Sequence, residues 1–337
     1  MPSCQIPRLP LPDSVNGEPR SVNGPPTPDP RPLVIGTRGS PLALWQANHI
    51  AERLRAAFPG LGIRLEPIKT TGDKILDVPL AKVGGKALFV KEIEEALLDQ
   101  RVDLAVHSMK DVPTELPPGL AISAVTERED PHDVLISRTG ARFRDLPSGA
   151  RVGTSSLRRQ AQLLHCRPDL HIIPLRGNLD TRIRKLALEG LDAIVVAAAG
   201  VKRLGLMERI TEVLPPEISL PAIGQGALGI EIRQGDPTAT ATGLVLDHTD
   251  THVAVWAERA FLRRLGGGCQ VPFAAHARVA DDRLSLRGLV ATPDGKQVIA
   301  GERQGNRTEG EAVGTALAEE LLSRGAAGIL RALLQAG

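Results

Sequence analysis

The stretch LVIGTRGSP at residues 33–41 decides the fold, because it takes the chain from a strand directly into a helix. Its apolar start favours a strand, and Ser40 and Pro41 favour the N-cap and the first position of a helix predicted over 42–58. A helix N-terminus at the end of a strand can bind an anion through its free N–H groups. Capping alone would explain Ser40 and Pro41, but a cap needs no arginine, so Arg38 favours an anion site.

The same order of strand, cap and helix returns in RVGTSSLRRQ at residues 151–160. Here Ser156 takes the cap position, and the helix predicted over 157–166 opens with Arg158 and Arg159. This is a second helix N-terminus that carries arginine, and it predicts a second anion site.

Basic side chains also follow the next two predicted strands, which end near Pro174 and Ala199. These side chains are Arg176, Arg182, Lys202 and Arg203. Lysines and arginines of helices usually form solvated faces, but here they lie at strand-to-helix junctions, where helix dipoles add to their charge. Arginine also binds carboxylates through paired hydrogen bonds. The pattern predicts a ligand with several carboxylates or phosphates, and the alternation of strands and helices predicts parallel sheets.

The strand predicted at residues 102–106 runs into HSMKDVP, which places Lys110 and Asp111 at its carboxyl end. Ligands of open α/β sheets lie beyond the carboxyl ends of strands. The two residues form either an ordinary surface pair or a site in which an ionised Asp111 stabilises a cation or moves a proton.

A scarce thiol follows three glycines in LGGGCQVP at residues 265–272, after an amphipathic segment at 251–265. Cys269 is a candidate nucleophile, metal ligand or point of covalent attachment, and the alternative is a glycine-rich turn that happens to contain a cysteine. The glycines are expected to give the loop slack. Three strands and two helices predicted over 274–334 form a small α+β unit.

A basic loop is predicted in DVPLAKVGGK at residues 77–86, where Lys82 and Lys86 flank two glycines. It is either a solvated turn or a lid that closes over an anion. The segment at 87–100 has helical periodicity.

Composition excludes several classes of protein. The 337 residues carry 41 basic and 39 acidic side chains, with few aromatic ones, which does not fit a nucleic-acid-binding protein. The three cysteines, an odd number, argue against a disulfide framework and favour the cytoplasm. No apolar run approaches the ~18 residues of a membrane span. We expect residues 1–30, which are rich in proline and lack a secretory signal, to form a disordered tail.

Two weaker motifs are set aside. GQGALG at residues 224–229 matches a dinucleotide fingerprint, but a strand rather than a helix is predicted after it, so nicotinamide binding is rejected. His248 and His252 have a spacing that metals use, but Asp250 and Thr251 are expected to cap a helix there, so no metal site is predicted.

Together these stretches resemble the porphobilinogen deaminase (hydroxymethylbilane synthase) family from residue 33 to about 334. The motifs that carry the resemblance are TRGSPLALWQA (37–47), LAKVGGKALFVKE (80–92), DLAVHSMKDVP (103–113), VGTSSLRRQ (152–160), RGNLDTR (176–182), AGVKRLGL (199–206), LPAIGQGALGIE (220–231) and GGCQVP (267–272). Each motif is modest alone, and the ensemble is specific.

The resemblance implies an α/β fold of two domains like those of periplasmic binding proteins, followed by a small α+β domain. Domain 1 would comprise 31–126 and 227–248, domain 2 would comprise 127–226, and domain 3 would comprise 249–337. The implied enzyme is a cytoplasmic, monomeric transferase. It deaminates and joins four porphobilinogen molecules on a dipyrromethane cofactor, which a thioether attaches to Cys269, and it releases the linear tetrapyrrole hydroxymethylbilane.

The family motifs also assign residues to roles. Asp111, with Lys110, would be catalytic, and Lys82, Lys86, Phe89 and Gln225 would belong to the substrate site and its lid. The residues implied to bind cofactor and substrate carboxylates are Arg38, Ser40, Lys110, Ser156, Arg158, Arg159, Arg176, Arg182 and Arg203.

Two features depart from the family pattern. Gly266 stands where the family often has an acidic residue, and the tail at 1–30 lies outside the pattern. The alternative function is a non-catalytic solute-binding or effector-sensing protein with the same two α/β domains, which would not explain Asp111 or the cysteine loop.

Overall fold

The protein was analysed as a computed structural model that describes residues 31–74, 89–267 and 271–336. Lys82, Lys86 and Cys269 lie outside this range, as do the proposed tail and most of the proposed lid. No helix within the described part of the chain is long and apolar enough to cross a membrane.

The described residues form three sheets with helices packed around them. The strands are β1 (Leu33–Arg38), β2 (Ile63–Ile68), β3 (Leu104–Ser108), β4 (Leu120–Val125), β5 (Asp133–Ser137), β6 (Arg151–Gly153), β7 (His171–Ile173), β8 (Ala193–Ala197), β9 (Glu212–Leu214), β10 (Leu228–Arg233), β11 (Phe273–Ala280), β12 (Arg283–Ala291) and β13 (Val298–Asn306). The helices are α1 (Pro41–Ala57), α2 (Thr71–Lys74), α3 (Lys91–Leu98), α4 (Leu157–Cys166), α5 (Leu179–Leu188), α6 (Ala198–Arg203), α7 (Pro237–Leu246), α8 (Thr249–Arg264), α9 (Gly310–Leu321) and α10 (Ala327–Ala336).

The first sheet has the strand order β2-β1-β3-β10-β4. Strands β2 and β3 run parallel to β1, and β10 runs antiparallel to both of its neighbours. One face is apolar because alternate residues of β1 and β10, such as Ile35 and Ile230, pack with Ile50 and Leu54 of α1. The inner strand β10, between β3 and β4, therefore comes from far along the chain.

The second sheet has the order β7-β6-β8-β5-β9. Strands β7 and β8 run parallel to β6, and β5 runs antiparallel to β8 and β9. Both faces are covered by apolar residues, including Leu135 and Val195 on one face and Val134 and Val196 on the other. The prediction of parallel sheets is thus wrong for one strand in each sheet, β10 in the first and β5 in the second, because these strands follow the segments that connect the two sheets and not a crossover helix within one sheet.

The third sheet is an antiparallel meander, β11-β12-β13, covered by α8 and α9. Phe261 of α8 is fully buried in its core, against a glycine of β12 that leaves room for the ring. The α+β unit predicted from the sequence is therefore present.

Two segments connect the first sheet to the second, and we call them the two crossovers, residues 126–132 and 215–227. They run side by side, since the Glu129 amide donates to the Gly226 carbonyl at 3.2 Å. Glu258 of α8 is fully buried beneath them. Its carboxylate accepts from the Gly224 amide at 2.7 Å and forms an ion pair with Arg128 at 2.9 Å, so the third unit holds both crossovers.

Some element boundaries differ from the sequence predictions. Helix α3 begins at Lys91, although periodicity predicted a helix from residue 87, and strand β8 ends at Ala197 instead of 199. Strands β5 and β9 and helix α7 were not predicted, because they are short or lack amphipathic alternation. These differences leave the order of the predicted junctions unchanged.

Candidate functional site

The end of β3 places Lys110 and Asp111 at the carboxyl edge of the first sheet, on a single 3₁₀ turn, Met109–Asp111. The turn is anchored by the Met109 side chain, which is 2% exposed, and by its amide, which donates to the Ala227 carbonyl at 3.0 Å. Gly229 makes this possible, since a Cβ there would lie 2.7 Å from the Met109 sulfur. Both charged side chains are thereby turned outward and are exposed.

The first strand-to-helix junction has the predicted cap. Ser40 Oγ accepts a hydrogen bond from the Ala43 amide at 3.3 Å, and Pro41 opens α1. The half-buried Arg38 guanidinium lies over the Phe89 ring, 4.3 Å from its centroid. The Phe89 ring also packs against Gly72, where a side chain would collide with it. This junction therefore presents a cation on a fixed aromatic platform.

The second junction uses its arginines differently. Ser156 Oγ caps α4 by accepting from the Arg159 amide at 3.4 Å, as predicted. The Arg158 and Arg159 side chains turn inward to Asp133, at 2.7 Å and 2.8 Å. Both arginines are buried, and Asp133 is fully buried.

Asp133 is a hub of hydrogen bonds that the sequence did not indicate. It also accepts from Ser219 Oγ at 2.6 Å and from Gln225 Nε2 at 2.9 Å. Burial by itself would raise the pKa of Asp133, but the two guanidiniums of Arg158 and Arg159 outweigh it and hold the pKa well below its usual range. Asp133 is therefore ionised, and its single negative charge is paired with the positive charges of both Arg158 and Arg159.

Gln225 connects this hub to the catalytic candidate Lys110. Its amide nitrogen donates to Asp133 and to the Pro131 carbonyl, and its oxygen accepts from Lys110 Nζ at 3.4 Å. Solvent reaches the surface of Lys110, but surrounding protein atoms desolvate its ammonium. This burial lowers the pKa of Lys110 to about 8, although Asp111 and Asp133 oppose the shift.

The third group of predicted ligands lies beside Asp111. Arg182 Nε donates to the Gly177 carbonyl at 2.8 Å, which fixes the side chain at the start of α5. Burial lowers the pKa of Arg182 to about 10, and the charges of Arg159, Arg176 and Arg38 add to the effect, while Asp111 opposes it. The cations of both sheets thus act on one another and on Asp111.

We call this group the cation cluster. Within the described residues it comprises six basic side chains that act with two carboxylates: Lys110, Arg38, Arg158, Arg159, Arg176 and Arg182, with Asp111 and Asp133. Positive charge exceeds negative charge in a partly desolvated place, which suits a ligand with several carboxylates. The donor set therefore fits the acetate and propionate groups of a pyrrole oligomer.

The junction after β8 serves the crossovers instead. Lys202 pairs with Glu129 of the first crossover at 2.9 Å, and Arg203 donates to the Gly226 carbonyl of the second at 2.7 Å. The Arg203 guanidinium also lies 5.9 Å from the ring centroid of Trp45 on α1. Because Lys202 is held in this ion pair with Glu129, the structure does not support the prediction that its charge faces the ligand.

The segment before Cys269 ends α8 with a defined motif. The Gly266 amide donates to the Arg263 carbonyl at 3.1 Å, and the Gly267 amide donates to the Leu262 carbonyl at 3.0 Å. Both glycines have positive φ, at +87° and +35°, which glycine adopts without steric cost. The first two glycines therefore terminate a helix and do not give the slack that was expected of them.

The two histidines that raised the question of a metal have other partners. His248 Nδ1 caps α8 by accepting from the Thr251 amide at 3.3 Å, in place of the expected Asp250 and Thr251. His252 Nδ1 lies 2.7 Å from an oxygen of Asp247. Across the residues that the structure describes, no group of three possible metal ligands is found.

Sequence reasoning missed Asp133 because it lies in a polar stretch, TEREDPHD, among other acidic residues. One signal was available: Asp133 directly precedes the apolar run Val134–Ile136, so its backbone starts a buried strand. A carboxylate at such a place needs a cationic partner.

Residues 33–241 match the family model "Porphobilinogen deaminase, dipyromethane cofactor binding domain", and residues 252–323 match "Porphobilinogen deaminase, C-terminal domain". Porphobilinogen deaminase of Syntrophotalea carbinolica is 61% identical over 301 residues, which are 89% of this chain and 96% of that protein. Porphobilinogen deaminase of Pelobacter propionicus is 58% identical over 306 residues, which are 91% and 98% of the two chains.

Among solved structures, the chain is similar to the probable amino-acid ABC transporter extracellular-binding protein ytmK from Bacillus subtilis. The identity is 12%, the coverage is 64% of this chain and 90% of that one, and the TM-score is 0.41. A likeness at this level carries no argument about the site.

Proposed function

The chain belongs to the porphobilinogen deaminase family, and we propose that the cation cluster around Asp111 is its reaction centre. The protein is a transferase of tetrapyrrole biosynthesis that deaminates porphobilinogen and joins four molecules into the linear hydroxymethylbilane. It uses a dipyrromethane cofactor, whose carboxylates fit the excess of guanidinium over carboxylate in the cation cluster. When bound, dipyrromethane supplies the free pyrrole position at which the chain of pyrroles starts.

We assign attachment of the cofactor to Cys269, which the family motif GGCQVP contains. Helix α8 leads to this thiol, and its end is fixed by the hydrogen bonds of Gly266 and Gly267. The chain therefore leaves a rigid element, the end of α8, shortly before it reaches Cys269.

Asp111 is the residue to which we assign the acid–base work. Loss of ammonia from porphobilinogen leaves a cation on the substrate, and an ionised carboxylate beside it lowers the energy of that cation. The same carboxylate can accept a proton from a pyrrole carbon or nitrogen. Its exposure on the 3₁₀ turn allows contact with substrate, in contrast to the buried Asp133.

The basic residues hold the substrate's side chains. Arg38, Arg176 and Arg182 are partly exposed near strand-to-helix junctions, and a guanidinium pairs with acetate and propionate groups through two hydrogen bonds. The ammonium of Lys110 adds a positive charge beside Asp111, which can attract a further carboxylate of the substrate. Ser40 and Ser156 serve through the helix N-termini that they cap.

Other assigned residues do not contact the reacting atoms and act through neighbouring side chains or through their charge. We propose that Arg158 and Arg159 act on the ligand's carboxylates from their buried position, through their positive charge and through the N–H groups that Asp133 does not occupy. We propose that Arg203 acts at the crossovers. Phe89 supports Arg38, and Gln225 supports Lys110. Lys82 and Lys86 are assigned to the lid on the family motif alone.

The domain limits and the cellular setting are also proposals. We assign 31–126 with 227–248, 127–226 and 249–337 to three domains, which agrees with the three sheets and the place of β10. We propose a monomer in the cytoplasm, where the exposed, unpaired thiol of Cys166 would stay reduced.

The excess of positive charge around an exposed carboxylate is the observation that carries this proposal. Intact-mass measurement of the purified chain tests the anchor. We expect the wild type and Cys166→Ser to carry a two-pyrrole adduct and Cys269→Ser to lack it, because a hydroxyl is a poor substitute for a thiolate. An adduct retained on Cys269→Ser would reject the assigned anchor, and its absence from all three would favour a solute-binding protein.

A further inference from the structure

Asp133 lies where three parts of the molecule meet. It is the first residue of β5, directly after the first crossover, and it contacts Arg158 and Arg159 of α4. Ser219 and Gln225 reach it from the second crossover. One carboxylate therefore links both crossovers to the first turn of α4.

The two arginines are fixed by more than this carboxylate. Arg158 also donates to the Leu220 carbonyl at 2.6 Å, and Arg159 donates to the Val195 carbonyl at 3.1 Å. With donors committed on several sides, neither guanidinium can rotate without breaking a buried hydrogen bond. The position of Asp133 is thus fixed by its surroundings.

A single side-chain amide, that of Gln225, connects Asp133 to Lys110 by hydrogen bonds. Gln225 is 1% exposed, and both acceptors of its nitrogen, Asp133 and the Pro131 carbonyl, lie on the side away from Lys110. An ionised carboxylate can only accept, so it determines which end of the amide faces it. The amide oxygen is left to receive the Lys110 ammonium at 3.4 Å.

We propose that Asp133 is a positioning residue, which orients the Gln225 amide and through it holds the Lys110 ammonium beside Asp111. Its importance for turnover rests on the proposed function, whereas the link from Asp133 to Lys110 rests on the hydrogen bonds alone. Asp133 itself is buried and does not meet substrate.

The charges that face Lys110 give the sign of the effect. Asp111 and Asp133 favour its ammonium form, while Arg158 and Arg159 disfavour it. Replacing Asp133 by a neutral residue removes one favourable charge and leaves both arginines less compensated. Lys110 should then lose its proton at a lower pH than in the wild type.

The test reads this proton directly in the purified full-length chain. Trace labelling with acetic anhydride across a pH series, followed by peptide mass spectrometry, gives the pH at which half of Lys110 becomes reactive, since only the free amine reacts. Lys185 and Lys202 of the same chain serve as internal references. We expect this pH to fall in Asp133→Asn and, through loss of the accepting oxygen, in Gln225→Met.

Asp192→Asn is the matched control, because Asp192 also pairs with an arginine of the second unit, Arg138, at 3.1 Å but lies outside the cation cluster. Its labelling profile and turnover should match the wild type. An unchanged Lys110 profile in Gln225→Met would overturn the proposal, and so would an unchanged profile in folded Asp133→Asn. Gln225→Met keeps both arginines paired and carries the test if Asp133→Asn fails to fold.

Turnover is measured on the same variants to separate the two proposals. A misplaced Lys110 should lower kcat by roughly 10²-fold in Asp133→Asn, with a smaller change in KM. A shifted labelling profile with normal turnover would retain the link from Asp133 to Lys110 and reject a role for Lys110 in the reaction.

Discussion

The two strand-to-helix junctions begin alike and end differently. In both, a serine oxygen caps the helix, Ser40 at 3.3 Å and Ser156 at 3.4 Å from an amide of the first turn. Arg38 precedes its cap and stays partly exposed on the Phe89 ring, whereas Arg159 follows its cap and is buried against a carboxylate. The side of the cap on which the arginine lies, and the presence of Asp133, decide whether the cation is presented or held inside.

Asp111 is the exposed carboxylate of the cation cluster, to which both junctions contribute arginines. Its replacement should have the largest effect. We expect Asp111→Asn to keep the fold and to lower kcat by roughly 10²- to 10⁴-fold, because it removes acid–base function and the charge that stabilises the substrate cation. The rate of hydroxymethylbilane formation gives the answer, with urea unfolding to check the fold.

Asp99→Asn is the control for this prediction, since Asp99 is an exposed carboxylate at the end of α3. Its kcat should match the wild type. Near-normal turnover in Asp111→Asn would show that the cations of the two junctions serve something other than a reaction at this residue.

The contrast between the buried and the presented arginine is tested by removing each of them. Arg159→Leu should lower the free energy of unfolding by about 3 kcal/mol, because it breaks a buried ion pair. Arg38→Leu should change it by about 0.5 kcal/mol and should chiefly raise KM for porphobilinogen. Urea unfolding and steady-state kinetics measure the two quantities, and equal losses of stability would break the comparison.

What the two junctions share is tested by removing their caps. Ser40→Ala and Ser156→Ala should each cost about 1 kcal/mol of unfolding free energy, because each leaves a first-turn amide without its acceptor. The double variant should lose the sum of the two within roughly 0.5 kcal/mol, since the caps share no partner. Clearly unequal losses in chemical unfolding would mean that the two junctions differ in their caps as well as in their arginines.

The sequence was sufficient for whatever depends on local pattern. The caps at Ser40 and Ser156, the limits of α5 and the hairpin strands of the third unit follow from turn chemistry and periodicity, which act over a few residues. The family motifs added the identity of the enzyme.

The rest depends on partners that are distant in the chain. Arg158 meets Asp133 from 25 residues away, and Gln225 meets it from 92 residues away. No periodicity encodes such pairs, so the sequence predicted arginines without predicting which of them a carboxylate would bury. The antiparallel setting of β5 and β10 was missed for the same reason.

The insertion of β10 between β3 and β4 gives the two sheets different histories during synthesis. All strands of the second sheet lie between Asp133 and Leu214, so they leave the ribosome before β10 does. The second sheet can therefore assemble as a unit while the first still lacks its inner strand. Until Leu228–Arg233 emerges, β3 and β4 each have one edge without its final partner, and exposed strand edges favour pairing with other chains. The part of the enzyme that carries Asp111 is thus the last of the two α/β units to close.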